Sequence, residues 1–244
     1  MKRVLFVICV ALMLPVHVVA QALDVNFEAK MREYKLVNIR DIDPTILVDL
    51  KYSTEDNFVG VDMYGALVEA YLDAEFADRV ARANKILQEQ YPDYRLLIYD
   101  AARPISVQRA MRRCVEGTEF ESFVADGSKG GRHNFGVAVD LTIATSDGVP
   151  LDMGAGFDDF TDAAHVKATP DTDDLSTRRP EVYRRYATEQ VERGIISREA
   201  ASNRMLLIEV MYEVGLVPYR REWWHFEEII SMSSTREKYK LLDF

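Results

Sequence analysis

The sequence predicts an α+β fold on three observations. Helical and strand-like segments follow one another without internal repeats, the strands are mostly continuous apolar runs rather than alternating ones, and no Gly/Ser- or Pro-rich linker divides the chain. With 244 residues, 48% of them hydrophobic and 29% charged, one domain can bury a full core without staples. Lys and Arg number 30 against 40 Asp and Glu, a formal charge of -10 that repels nucleic acid and anionic lipid headgroups.

The first element is an address. Lys2 and Arg3 form a basic start, Val4 to Val16 is an apolar run too short to span a bilayer comfortably, and Ala20-Gln21-Ala22 has the A-x-A form of a cleavage site. Residues 1–22 therefore read as a cleaved secretory signal, with an uncleaved anchor as the alternative, and residues 23–244 as the working domain. Cleavage would leave 28 basic against 40 acidic side chains and would remove Cys9, so that Cys114 stands alone and no internal disulfide can form. An exported protein held by its core suits the bacterial periplasm, with no membrane attachment after cleavage.

Residues 36–50 read as short strands around a turn at Pro44. Tyr71 to Gln90 carries Phe76, Val80, Ile86 and Leu87 at helical spacing. Arg95 to Tyr99 is a short buried strand, and a helix resumes from Ser106 to Val115 after Pro104. Residues 117–135 are polar and Gly-rich, hence a loop before a strand at Val137 to Ile143. An irregular acidic stretch, Asp147 to Asp174, precedes helices at Pro180 to Arg193 and Ser197 to Val214. A last strand lies near Trp223 to Ile229. Met205, Leu206, Leu207, Ile208, Val210, Met211 and Val214 have the spacing of a core face. The tail from Ser233 carries no evident function.

Three clusters carry chemistry. In Arg132-His133-Asn134-Phe135-Gly136-Val137-Ala138-Val139-Asp140, a strand from Val137 sends Asp140 to the face opposite the valines. The seven-residue separation would put His133 on the wrong face of a continuous strand, unless Asn134 to Gly136 forms a turn or bulge. In Arg221-Glu222-Trp223-Trp224-His225-Phe226-Glu227, Glu222 and His225 are three apart and face apart in a strand, so Glu222 must sit at a bend or strand entrance to share a site with His225. A zinc hydrolase needs imidazole and carboxylate ligands, a position open to water, and a further carboxylate off the metal. An aromatic core strand with a hydrogen-bonded His is the plainer reading. In Asp100-Ala101-Ala102-Arg103-Pro104, Arg103 either points a fixed cation into a cleft or pairs structurally with Asp100.

Taken in order, D-x-x-R-P, H-x6-D and E-W-W-H resemble the D-alanyl-D-alanine dipeptidases, zinc enzymes within the wider fold of DD-carboxypeptidases and hedgehog signalling domains. Leu47 to Gly60 resembles the family's "DLRYAT-DNF-G" stretch, and Leu151 to Asp158 its "DMG-FD" loop. The resemblance runs from about residue 36 to 230. It implies a hedgehog/DD-peptidase-like single domain, with a small antiparallel sheet flanked by helices. It implies one zinc ion per chain on His133, Asp140 and His225, Glu222 as general base, and Arg103 stabilising the transition state. The implied activity is hydrolysis of D-Ala-D-Ala in cell-wall peptide turnover. Asp158 is the candidate for pairing with the free ammonium of a small D,D-dipeptide. Two residues before the first zinc His the family usually has Ser, and this chain has Gly131. The alternatives are a related DD-carboxypeptidase or L,D-endopeptidase acting on longer peptides, and a non-catalytic zinc-binding module. Tyr52 and Asn57 are expected to shape the cleft wall. His165 is expected to face solvent or stand behind the site, and Cys114 to be a small buried hydrophobe.

Overall fold

The computed structural model describes residues 25–167 and 177–244; the proposed signal, residues 1–22, lies outside them, as does part of the acidic stretch. The sheet is built from the centre outward. Strand β4 (Tyr94–Asp100) pairs antiparallel with β5 (Ala138–Thr145), which pairs antiparallel with β7 (Glu222–Glu228), and β6 (Leu216–Tyr219) closes that edge. At the other edge the two-residue strand β2 (Leu47–Val48) joins β4 in parallel, giving the order β2-β4-β5-β7-β6. The expected antiparallel sheet is thus mixed, because the chain crosses over through a helix between β2 and β4 instead of turning back directly. β1 (Val37–Asn38) does not pair with β2 across the Pro44 turn. It pairs antiparallel with β3 (Tyr71–Leu72), and the short helix α2 (Ile39–Ile42) separates it from β2.

Helix α1 (Phe27–Glu33) precedes this pair. The long helix α3 (Ala74–Gln90) begins three residues later than its spacing suggests, since Tyr71 and Leu72 are committed to β3 and Asp73 caps the helix through the amides of Glu75 and Phe76. Phe76, Ala77, Val80, Ala83 and Leu87 form its buried face. The buried Asn84 fixes α3 in place. Its amide donates to Asp43 Oδ2 at 2.8 Å and Thr45 Oγ1 at 2.9 Å, and its carbonyl accepts from the Leu96 amide at 2.9 Å. One side chain therefore ties the Pro44 turn to the central strand.

Helices α4 (Ile105–Val115), α5 (Pro180–Glu192) and α6 (Arg198–Glu213) fall within about a residue of their sequence boundaries. In α6, Leu207, Ile208, Val210 and Met211 are buried as expected, and so is Arg204, at 2% exposure. The guanidinium donates to the carbonyls of Met153 at 2.6 Å, Ala163 at 2.7 Å and His165 at 3.3 Å. It pins the long irregular loop to the helix. Arg204→Met should cost about 2–4 kcal/mol, because three carbonyls lose their donor in a dry setting, and urea unfolding of the variant measures it.

The tail contributes to the fold after all. Helix α7 (Met232–Lys238) is followed by a docked segment in which Leu242 donates its amide to the Asn134 carbonyl at 2.8 Å and accepts from the Ile105 amide at 2.8 Å. The polar composition of 233–244 hid this because its partners are distant in sequence: besides the Leu242 backbone bonds, Phe244 packs on Tyr34 and Phe27, and Asp243 accepts from the Tyr34 hydroxyl. No described helix is long and apolar enough to cross a membrane.

Candidate active site

Asp140 and His225 stand directly opposite each other on the neighbouring strands β5 and β7. Such a pair shares one face of the sheet. His133 arrives by a different route, from a 3-10 turn over Arg132–Phe135 that ends at Gly136 in the left-handed region, φ 71°. A Cβ there would meet Leu36 Cδ2 at 3.0 Å and the Asp73 amide nitrogen at 3.3 Å, so only glycine lets the turn close against its surroundings. This is the bend that the seven-residue spacing required. The result is a tight triangle: His133 Nε2 to His225 Nδ1 is 3.0 Å, His225 Nδ1 to Asp140 Oδ1 is 3.0 Å, and His133 Nε2 to Asp140 Oδ1 is 3.3 Å.

The donor set fits a metal ion. His133 Nδ1 lies 2.7 Å from the Ala101 carbonyl, to which it can only donate, so its Nε2 presents a lone pair to the triangle. His225 Nε2 faces Glu227 Oε2 at 3.3 Å, and its Nδ1 points into the triangle, where the neutral imidazole presents a lone pair. Two lone pairs and a carboxylate oxygen converge on one point, an arrangement that repels itself unless a cation sits among them. Ligands about 2.0–2.1 Å from a tetrahedral ion stand about 3.3 Å apart, close to the spacing here. The protein groups show the same demand for positive charge. Burial opposes ionisation of His225, yet its hydrogen bonds to Asp140 and Glu227 hold its pKa up at about 10, while the two histidines pull Asp140 far below the usual carboxylate range despite burial. Among the described residues, these three form the group able to hold a metal.

Glu222 is the first residue of β7, and the β6–β7 register slips between Pro218 and Tyr219, so that Tyr219 pairs with Glu222 while Pro218 pairs with Phe226. The irregularity undoes strand alternation and brings Glu222 Oε2 to 3.9 Å from His225 Nδ1. The sequence demanded such a strand entrance. Burial pushes the Glu222 carboxyl above its ordinary range, which makes its carboxylate a better proton acceptor.

Arg103 follows β4 and takes both of the roles left open for it. Nε and Nη2 reach Asp100 Oδ2 at 2.9 and 2.5 Å, Nη1 reaches Gln108 Oε1 at 3.1 Å, and Nη2 still lies 3.8 Å from Asp140 Oδ2 at the wall of the cleft. Asp100 is fully buried and accepts on its other oxygen from the Tyr64 hydroxyl at 2.7 Å. The cation is thereby fixed before any substrate arrives. The Arg103 loop and the His133 turn are also bonded to each other, through the Arg103 amide to the His133 carbonyl at 3.0 Å and Asn134 Nδ2 to the Arg103 carbonyl at 2.7 Å.

A cleft of about 460 Å³ opens over these groups, with Phe58, Phe123 and Phe160 on one wall. Asp158 closes it from the 151–158 loop, at φ 57°, with the Tyr52 hydroxyl donating to Oδ2 at 2.8 Å. Burial raises its carboxyl well above the normal range, and the nearby charges of Asp140 and Glu222 add to that. A carboxyl so placed gains most from an incoming cationic group.

Tyr52 lines the cleft, whereas among the described residues the Asn57 side chain bonds within its own loop, from Lys51 to Val61. His165 lies beside Asp162, 3.5 Å away, and does not line the cleft. Gly131 does, and the nearest atom to a Cβ there is Asn134 Oδ1 at 3.9 Å, so a Cβ meets no clash. Cys114 is half-buried rather than buried, and the burial it has raises its thiol, which suits an inert residue. Sequence reasoning missed Gln108, Arg132, Arg178 and Glu227, all of which line the cleft. Only Glu227 had a local signal, since i and i+2 share a strand face and His225 was already singled out.

Two histidines and an aspartate beside a free carboxylate and a fixed arginine are the equipment of a metal-dependent hydrolase. Comparison with known proteins makes that class a metallopeptidase. The sequence matches the family described as D-ala-D-ala dipeptidase over residues 32–239, and the chain belongs to that family. It is 32% identical over 194 residues to the D-alanyl-D-alanine dipeptidase of Escherichia coli, an alignment covering 79% of this chain and 84% of the relative. It is 23% identical to the D-alanyl-D-alanine dipeptidase of Synechocystis, with 83% of this chain and 89% of the relative covered.

Proposed function

We propose that the protein is a zinc dipeptidase that hydrolyses free D-Ala-D-Ala to D-alanine during peptidoglycan turnover, outside the cytoplasm, after loss of residues 1–22. The observation that carries the reading is the His133–Asp140–His225 triangle with Glu222 and Arg103 at its edge and Asp158 across the cleft. The finer assignment to the hedgehog and DD-peptidase architecture belongs to the same reading. So does the choice of zinc, which tetrahedral nitrogen and carboxylate donors suit.

His133, Asp140 and His225 would hold the ion, which supplies a Lewis acid and acidifies water. Glu222 takes the proton from the attacking water and returns it to the departing amine. Arg103, held by Asp100 and Gln108, faces the negative charge that develops on the peptide oxygen and costs no reorganisation to do so. Asp158 receives the substrate ammonium, and the Tyr52 hydroxyl orients its carboxylate.

The test is hydrolysis of D-Ala-D-Ala beside N-acetyl-D-Ala-D-Ala and a pentapeptide ending in D-Ala-D-Ala. Cleavage of the free dipeptide alone is expected, and cleavage of the blocked or longer peptides at comparable rates would move the protein to the carboxypeptidase or endopeptidase class. Asp158→Asn should raise KM for the free dipeptide about 10²-fold with kcat changed only a few-fold, because it removes one partner of a buried charge pair. It should also erase the preference over the acetylated substrate.

A further inference from the structure

Glu227 takes no part in the hydrolysis outlined above, yet both oxygens of its carboxylate are held. Oε2 forms an ion pair with Arg132 Nε at 2.8 Å and lies 3.3 Å from His225 Nε2, while Oε1 accepts from Arg178 Nη2 at 3.0 Å. The side chain is only 12% exposed. Two arginines around one buried carboxylate leave it little freedom to rotate.

Arg132 is itself fixed from the far side. Nη1 donates to Thr235 Oγ1 at 2.7 Å and Nη2 to the Ile230 carbonyl, both on or beside helix α7. Arg132 also opens the 3-10 turn that delivers His133. A continuous path therefore runs from the C-terminal helix through Arg132 to Glu227 and on to His225. The same arginine belongs to the turn carrying the other imidazole. His133 has a backbone carbonyl behind it, at Ala101; His225 has this clamped carboxylate.

Resting on the reading of His133, Asp140 and His225 as metal ligands, we propose that Glu227 is a positioning residue for His225, with Arg132 and Arg178 locking its carboxylate in place. It accepts the Nε2 proton and so keeps Nδ1 as the inward lone pair. An imidazole without that partner can adopt the other tautomer or swing on χ2, and either change withdraws a ligand. Outer partners of metal-bound histidines typically contribute about 10–100-fold in metal affinity.

The experiment measures zinc affinity by chelator competition in the wild type and in Glu227→Gln, Glu227→Ala and His225→Ala, with thermal melting of each metal-free protein alongside. Glu227→Ala should weaken zinc binding by about 10–100-fold. Glu227→Gln, which keeps a weaker acceptor on the same stem, should lose less than Ala. Should the alanine variant fail to fold, nitrogen-15 NMR of the zinc-loaded wild type still decides the matter. A protonated Nε2 on His225 is expected, and a protonated Nδ1 would overturn the inference. Wild-type affinity in a folded Glu227→Ala protein, beside a large loss in His225→Ala, would overturn the role of Glu227 alone. Unchanged affinity in both variants would overturn the metal-site reading and this inference together.

Discussion

Glu222→Gln should lower kcat for D-Ala-D-Ala by about 10²–10⁴-fold while zinc stoichiometry and KM stay near those of the wild type. The amide has nearly the shape of the carboxylate but cannot take a proton. Glu222 lies 3.9 Å from His225 Nδ1 and is outside the His133–Asp140–His225 group proposed to hold the metal, so its replacement leaves those three donors intact. Steady-state kinetics on protein of verified metal content make the measurement. A parallel loss of zinc would instead place Glu222 among the ligands.

Arg103→Met carries the second large effect, and it has two parts. Loss of a fixed cation facing the developing oxyanion should reduce kcat by about 10²–10³-fold. The same change strands Asp100, fully buried, with the Tyr64 hydroxyl as its remaining side-chain hydrogen bond among the described residues and His133 Nδ1 3.9 Å away, which should cost about 3–5 kcal/mol of stability. Kinetics and urea unfolding on the same preparation separate the two. Arg103→Lys should recover little of either, because a single ammonium cannot reproduce the fork that engages Asp100 and Gln108 together. If Arg103→Met were as active as the wild type, the arginine would be structural only.

The pattern of what the sequence revealed has a physical logic. Helices α3 to α6 were readable because their signals are local: a period of 3.6 in the apolar residues, and a Pro or a cap at the start. Asp140 and His225 were readable as members of motifs, but their cross-strand pairing was not. Register between strands 85 residues apart leaves no local trace. Strand β6 went unseen because it is four residues long and contains Pro218, which is tolerated at the sheet edge it occupies. Helix α2 was hidden in a segment whose β-branched residues suggested strand throughout, and tertiary pairing of β1 with β3 decided the matter. The turn at Arg132–Phe135 was anticipated in kind, since only a bend could bring His133 round, although its 3-10 form was not. Arg204 and Arg132 illustrate the opposite limit. Each is a charged residue whose burial has no local signal, and each is buried because its partners are backbone carbonyls or side chains from distant parts of the chain.

The central claim is that one metal ion, held by His133, Asp140 and His225, makes this chain a dipeptidase. The most direct test is to strip the purified protein, residues 23–244, with a chelator and titrate zinc back while following release of D-alanine from D-Ala-D-Ala. Activity should be lost on stripping and return linearly to a plateau at one zinc per chain, with no recovery in His225→Ala. Full activity in the stripped protein, or undiminished recovery in the His225→Ala variant, would contradict the account.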